Sequence, residues 1–146
     1  MDFDALLRHQ IYAHTTGVGK PPTIAELSAA ASESRDRVRD SLARLAAGRI
    51  VVLQPESGEI LMAPPFSAVP TPFLIATSRH ACYANCAWDA IGVPIMLREP
   101  ARIVSSCGCC GLSLTLDVRP DRPPSAREVV HFAVPAARWW HDLVYT

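Results

Sequence analysis

A cysteine and an aspartate, Cys86 and Asp89, stand three residues apart in the segment His80–Pro94. If the segment is helical, this spacing puts both side chains on one face. A thiolate is the ligand that soft metals prefer, and a neighbouring carboxyl group can deliver a proton. The pair therefore predicts a site that binds a soft metal and moves a proton.

All five cysteines of the chain fall between positions 82 and 110, and three of them form the run Cys107-Gly-Cys-Cys110. An odd number argues against a closed disulfide framework and leaves metal binding, redox chemistry or burial. The run differs from the Cys-x-x-Cys knuckles of structural zinc sites, so Cys107, Cys109 and Cys110 either bind a metal or form a buried turn. Cys82 is expected to be a packing residue.

Composition excludes several classes of partner. The 146 residues are 49% apolar, with 14 Lys+Arg against 14 Asp+Glu, so no net charge attracts nucleic acid. No apolar run approaches the ~20 residues of a membrane span. The start, Met1–Asp4, has neither a basic segment nor an apolar stretch. We therefore expect a globular cytoplasmic protein with reduced thiols and no membrane partner.

The elements that must position these residues begin with a winged-helix-like module over residues 1–62. Apolar spacing predicts a first helix, the Thr23 and Glu26 pair predicts the start of a second, and a third ends at Gly48. Two strands, Ile50–Leu53 and Glu59–Met62, complete the pattern.

In a DNA-binding regulator, the third helix of such a module reads the bases. It carries four arginines, but three nearby acidic residues offset most of their charge; the set is Arg35, Arg37, Arg39 and Arg44 against Glu33, Asp36 and Asp40. Because binding to phosphates needs a positive surface, the sequence argues against DNA as a partner. A structural or substrate-covering module is the alternative.

A proline-rich linker, residues 63–73, precedes a second unit over 74–146. The spacing predicts a helix over Ala81–Ile91 that carries Cys82, Cys86 and Asp89. The predicted strands are Leu74–Thr77, Ala101–Ser105, Leu112–Val118 and Val129–Val134, with a turn over Asp121–Pro124. The whole chain is then an α+β protein: a three-helix module followed by a small mixed β-sheet domain with a cysteine-bearing helix.

Several strings along the chain match one family in order. They are Pro21–Leu27, Pro65–Phe73, Cys86-Ala-Trp-Asp89, Ala101–Cys107, and His131–Pro135 followed by Trp140. Together they resemble the organomercurial (alkylmercury) lyases. The resemblance implies protonolysis of a carbon–mercury bond, with a small organometallic substrate, Hg(II) or another soft metal as its metal, no organic cofactor, and external low-molecular-weight thiols that remove the product.

Residue by residue, the resemblance implies that Cys86 is a metal-binding thiolate, that Asp89 takes part in proton relay and that Cys107 is mainly structural. It also implies a second metal-binding cysteine just ahead of the His131 strand, where Ser125–His131 contains no thiol. We therefore interpret the chain as a diverged member in which Cys107, Cys109 or Cys110 supplies the second sulfur.

Other readings stay open at this point. A non-catalytic heavy-metal or metalloid-binding protein, a metal-responsive regulator, or a redox protein acting through the cysteine loop would use the same thiols. Arg102 and His131 are either donors behind the site or ordinary structural residues. The tryptophans, Trp88, Trp139 and Trp140, are expected to be core or pocket walls. The sequence indicates neither the natural metal nor an oligomeric state.

Overall fold

The computed structural model describes residues 2–122 and 129–141. Three helices come first: α1 (Phe3–Val18), α2 (Ile24–Ala31) and α3 (Arg35–Ala47). Seven short strands follow, namely β1 (Val52–Leu53), β2 (Ile60–Ala63), β3 (Phe66–Ser67), β4 (Leu74–Ala76), β5 (Ala81–Ala84), β6 (Ala101–Ser106) and β7 (Ser113–Val118). Helix α4 (Ala87–Leu97) lies between β5 and β6, and a 3₁₀ helix spans Ala136–His141.

The starts of α2 and α3 are set by side-chain caps. The Thr23 hydroxyl accepts from the Glu26 N–H at 3.2 Å, and the Glu26 carboxylate accepts from the Thr23 N–H at 2.7 Å. This reciprocal pair is the capping box that the sequence predicts. Ser34 caps α3 by accepting from the Arg37 N–H. The local sequence therefore fixes where both helices begin.

A partly exposed carboxylate, Asp4, joins α1 to α3. Asp4 accepts from the Ser41 hydroxyl at 2.6 Å and from two nitrogens of the Arg44 guanidinium, each at 2.8 Å. The hydrogen bonds from Arg44 and then Ser41 lower the pKa of Asp4 to about 2. Asp4 is therefore ionised at neutral pH and holds the two helices in register.

The strands form one sheet in the order β1-β2-β3-β5-β4-β6-β7, and every adjacent pair is antiparallel. The expected mixed sheet is thus wrong, whereas the α+β class is confirmed. Strand β3 lies inside the predicted linker and pairs with β2 on one side and β5 on the other. The sheet therefore continues from the first part of the chain into the second. The division into a module (1–62), a linker (63–73) and a second unit (74–146) stays a prediction.

Two hydrophobic cores lie along this sheet. The first packs α1–α3 against the β1–β2 hairpin, and the second lies between α4 and strands β3–β7. Where the two parts meet, α1 ends at Gly19, whose φ of 90° favours glycine. A Cβ at Gly19 would collide with the Ala81 carbonyl oxygen and lie 2.9 Å from Cδ2 of His80. Glycine is therefore required for α1 to approach β5 this closely.

The helix predicted over Ala81–Ile91 is wrong in its first six residues, because α4 begins only at Ala87. Residues Ala81–Ala84 form β5, which pairs with β3 and β4, and Cys82 lies opposite Ile75. The two neighbouring strands provide ladder hydrogen bonds on both edges, which outweigh local helix propensity. Cys82 is therefore not on the helix. Its side chain is buried in the second core, which fits a packing role.

Strands β4, β6 and β7 agree with the sequence within a residue or two. The strand predicted over Val129–Val134 is wrong, because this segment has no regular structure. The Trp139 indole N–H donates to the Val134 carbonyl at 2.8 Å, and the Trp139 ring packs against Phe132. Of the turn predicted at Asp121–Pro124, the prolines lie outside the described residues. Within 2–122 and 129–141, no helix is long and apolar enough to cross a membrane.

Candidate functional site

Cys86 and Asp89 meet at the first turn of α4. Cys86 is the N-cap residue, with extended φ and ψ, and Asp89 is the third residue of the helix. The two residues are therefore close because the N-cap of a helix lies next to its third residue. They are not two residues on the same helix face. The thiol makes no capping hydrogen bond of full geometry. The N–H groups of Asp89 and Trp88 nevertheless face the sulfur.

The surroundings of Cys86 act on its thiolate in opposite directions. Burial raises the pKa of the thiol, the Asp89 N–H lowers it, and the negative charge of the Asp89 carboxylate raises it again. The net effect is a raised pKa, so the thiol is more protonated at neutral pH than an exposed cysteine. Metal binding at Cys86 therefore requires a group that takes up its proton.

Asp89 is such a group. Its carboxylate is half-buried, and this burial raises its pKa, while hydrogen bonds from Asn85 and Cys86 oppose the shift. The Asn85 Nδ2 donates to Asp89 Oδ2 at 3.2 Å. A carboxyl group with a raised pKa beside a thiol is suited to receive a proton and then release it.

Asn85 is a site residue that the sequence analysis missed. It precedes Cys86 and lies four residues before Asp89, and this spacing was the signal in the sequence. Its Oδ1 is buried and accepts no hydrogen bond from any residue that the structure describes. The amide therefore orients the Asp89 carboxylate and leaves one buried acceptor without a partner among the described residues.

The other cysteines lie on the β6–β7 loop, which two backbone hydrogen bonds close. The Cys107 N–H donates to the Leu112 carbonyl and the Gly111 N–H donates to the Cys107 carbonyl, each at 2.8 Å. The N–H groups of Cys110 and Cys109 and the Cys110 thiol lie near enough to the Cys107 sulfur to act on its ionisation. These interactions lower the pKa of Cys107. Cys109 and Cys110 are solvent-exposed, so the loop is a folded turn but not a buried one.

A cavity of about 740 Å³ lies between α4 and this loop. Helix α4 contributes Ala87, Ala90 and Ile91, and the loop contributes Cys107 and Cys109. The remaining wall is mostly apolar and comes from β6, β7 and neighbouring segments, including Phe73, Ile103, Leu114, Leu116, Val130 and His131. The helix end that carries Cys86 and the cysteine loop therefore border the same apolar cavity.

The structure thus produces two pairs, Cys86 with Asp89 and Cys107 with Cys110. Within residues 2–122 and 129–141, no three His, Cys, Asp or Glu side chains are grouped to hold a metal ion. Cys86 does not itself line the cavity, although its neighbour Ala87 does. Most of the Ser125–His131 stretch lies outside the described residues. The roles predicted for the four cysteines and Asp89 therefore stay predictions.

The other side chains singled out in the sequence take varied places. Arg102 pairs with Asp117 across β6 and β7, where both are exposed, and so is not a donor behind Cys86. Trp88 is 67% exposed, which makes the expected core or wall position wrong. Trp139 is partly buried against Phe132. Trp140 lies under the Arg49 guanidinium, 5.0 Å from the ring centre.

Comparison with known proteins adds three findings. A family model described as alkylmercury lyase matches residues 66–146. An alkylmercury lyase of Streptomyces lividans is 30% identical over 122 residues, which is 82% of this chain and 54% of the relative. The crystal structure of the mercury-bound form of MerB2 superposes with a TM-score of 0.64 at 19% identity, over 86% of this chain and 61% of that one.

These matches differ in what they establish. At 19% identity, the solved structure shows a shared fold. The chain spans about half the length of the curated relative that it matches. The family model, in contrast, covers more than half of this chain, including α4 with Cys86 and Asp89 and the whole cysteine loop. The chain belongs to the alkylmercury lyase family.

Proposed function

We propose that this chain cleaves carbon–mercury bonds by protonolysis, with Cys86 as the thiolate that holds mercury and Asp89 as the proton carrier. The observation that carries the proposal is the contact between the two groups at the start of α4. Family membership supports the reaction class. The remaining residues of the site then account for the substrate and the second sulfur.

The first step is a ligand exchange. Asp89 takes the proton of the Cys86 thiol. The Cys86 thiolate then displaces the thiolate bound to an organomercury cation and forms a Cys86 S–Hg bond. The displaced thiolate leaves. Because Asp89 is the base in this step, its raised pKa makes the proton transfer from a thiol less unfavourable.

Bond cleavage returns that proton. A second thiolate binds mercury and increases the electron density on the metal-bound carbon. The carbon then accepts the proton from Asp89, the carbon–mercury bond breaks, and the hydrocarbon leaves. Asp89 is again a carboxylate, and Hg(II) stays on two sulfurs until external thiols remove it. We assign the second thiolate to the cysteine loop, which borders the same cavity as the start of α4.

The apolar cavity is suited to the organic group of the substrate. Its walls are mainly aliphatic and aromatic, with Phe73, Ile91 and Leu116 among them. Transfer of an alkyl or aryl group from water to such a surface is favourable. The substrates in this proposal are therefore small alkyl- and arylmercury compounds, bound as thiolate complexes.

We assign a structural or covering role to residues 1–62, whose three helices and hairpin we interpret as winged-helix-like. In α3, Arg37 is paired with Glu33 and Arg44 with Asp4, so these cations are engaged within the protein. This supports the expectation that DNA is not a partner. We place the reaction in the cytoplasm, where the five free cysteines would stay reduced.

The test is benzene release from phenylmercury with excess external thiol. Cys86→Ala removes the proposed metal ligand, and Asp89→Asn keeps the shape of the side chain but can neither accept nor release the proton. We expect turnover to fall about 100-fold or more in each variant. Cys82→Ala is the matched control, because this buried cysteine lies on β5 and has no assigned role. Unchanged turnover in Cys86→Ala, or no turnover by the unmodified chain, would contradict the proposal.

A further inference from the structure

The β6–β7 loop places two thiols together at a site separate from Cys86. Its backbone is fixed by the hydrogen bonds of Cys107 with Leu112 and Gly111, both at 2.8 Å. This closure makes a tight turn in which Cys110 follows Cys107 by three residues, and the Cys110 thiol lies near enough to lower the pKa of Cys107. A loop that brings two sulfurs together before any ligand binds has already lost much of the conformational entropy of chelation.

The two thiols are also accessible. Cys110 is exposed and Cys107 is partly exposed, unlike the buried Cys82. Cys107 lines the apolar cavity whose opposite wall begins with Ala87, the residue after Cys86. Cys109 also lines this cavity, whereas Cys110 is not among the lining residues. A mercury ion leaving Cys86 would therefore reach Cys107 across the cavity, with Cys110 on the exposed side of the same turn.

We propose that Cys107 and Cys110 form a second mercury site, a two-thiol acceptor that binds Hg(II) without Cys86 and releases it to external thiols. Hg(II) needs only two sulfur ligands, and thiolate is its preferred ligand. The step is an exchange without redox change. The Cys107 thiolate and the Cys110 thiol replace the two thiolates bound to Hg(II); one of these leaves as thiolate and the other leaves as thiol with the Cys110 proton.

The proposal deepens the function above, yet its test does not depend on turnover. Hg(II) chloride is added to Cys86→Ala in the presence of a monothiol such as N-acetylcysteine, and the mercury kept after desalting is measured. The second sulfur of the pair has an effective concentration on the order of millimolar or higher. At a free monothiol concentration of about 0.1 mM, the pair should retain at least about tenfold more mercury than a single cysteine.

Two double variants identify the sulfurs. The double variant Cys86→Ala with Cys110→Ser lacks one sulfur of the pair, so it should retain about tenfold less mercury than Cys86→Ala alone. Cys86→Ala with Cys109→Ser keeps the Cys107–Cys110 pair and should retain mercury as Cys86→Ala does. Because Cys109 and Cys110 are adjacent and both exposed, the comparison is matched for position and for stability.

The outcomes separate this proposal from the lyase proposal. Equal retention in the two double variants, or no retention in Cys86→Ala, would overturn the two-thiol site even if the unmodified chain cleaved phenylmercury. If mercury retention depends on Cys110 but the unmodified chain shows no turnover, the two-thiol site is supported and the lyase proposal is contradicted. Circular dichroism of each variant checks that the fold is intact.

Discussion

At the scale of single residues, the two thiol groups differ in acidity because they lie in different surroundings. Cys86 is half-buried beside a carboxylate, whereas the Cys107 thiol is opposed by two backbone N–H groups and a second thiol. Burial and negative charge disfavour the thiolate, and hydrogen-bond donors favour it. The chain therefore has one thiol that stays protonated and another that ionises more readily.

This difference predicts the order in which the cysteines react. In a brief iodoacetamide pulse at neutral pH, Cys107 should be alkylated faster than Cys86, since only the thiolate attacks. Because the pKa of Cys86 is raised and that of Cys107 is lowered, the alkylation rate of Cys86 should still increase at pH values where that of Cys107 no longer changes. Peptide mass spectrometry over a pH series measures both rates. Faster labelling of Cys86 at neutral pH would contradict the assignment.

Asn85 predicts a shift in the pH profile. Its amide donates to Asp89 and lowers the pKa of that carboxyl group, so Asn85→Leu should raise the pKa further. In the proposed function, kcat/KM for phenylmercury falls at low pH, because a protonated Asp89 cannot accept the Cys86 proton. This acid limb of the pH profile therefore follows the pKa of Asp89. Because protonation then occurs at higher pH, the limb should move to higher pH.

A purely structural role for Asn85 would give a different result. Loss of fold lowers the rate at every pH, whereas loss of the hydrogen bond moves the limb and leaves the alkaline plateau nearly unchanged. Asn85→Asp is a second variant for the same site. It places a negative charge beside Asp89 and should also move the limb upward.

At the scale of elements, the sequence predicts what depends on neighbours along the chain. Thr23 with Glu26 and Ser34 mark two helix starts correctly, because caps are local interactions. The Cys82 segment was misread as helix because its strand pairing with β3 and β4 depends on residues distant in sequence. For the same reason, the sequence does not predict that Cys86 is the N-cap of α4, because that depends on where α4 begins.

The contact between α1 and β5 predicts a matched pair of glycine variants. Gly19→Ala should lower the free energy of unfolding by about 1 kcal/mol or more, because φ is positive and a Cβ meets the Ala81 carbonyl. Gly17→Ala should raise it by about 0.5–1 kcal/mol, because Gly17 lies within α1 and has open space around it. Urea unfolding measures both, and equal effects would contradict the proposed contact.

At the scale of the whole molecule, two cores share one antiparallel sheet. The resemblance predicts the family and the pattern of predicted helices and strands predicts the α+β class, but neither predicts the continuity of the sheet. That continuity rests on Phe66 and Ser67, which lie among prolines and pair with β2 and β5. A proline-rich composition indicates extended chain without indicating which strands it will join.

A continuous sheet predicts that the cores unfold together. Leu42 lies in the first core and Ile75 in the second, and each is fully buried. Leu42→Ala and Ile75→Ala should each lower the free energy of unfolding by about 2–5 kcal/mol. All three tryptophans lie after position 86, so fluorescence follows the second part, while circular dichroism follows mainly α1–α3. We expect Leu42→Ala to move both transitions equally; a shift seen only by circular dichroism would indicate two independent units.

The cap position of Cys86 has a further consequence, in the balance between robustness and activity. Serine, threonine, aspartate or asparagine at the start of α4 would satisfy a helix N–H group that the thiol leaves without a full hydrogen bond. A change such as Cys86→Ser should therefore make the protein about 1 kcal/mol more stable while removing the proposed mercury ligand. In the proposed function, the thiol at position 86 therefore lowers stability and supplies chemistry that a better cap residue cannot.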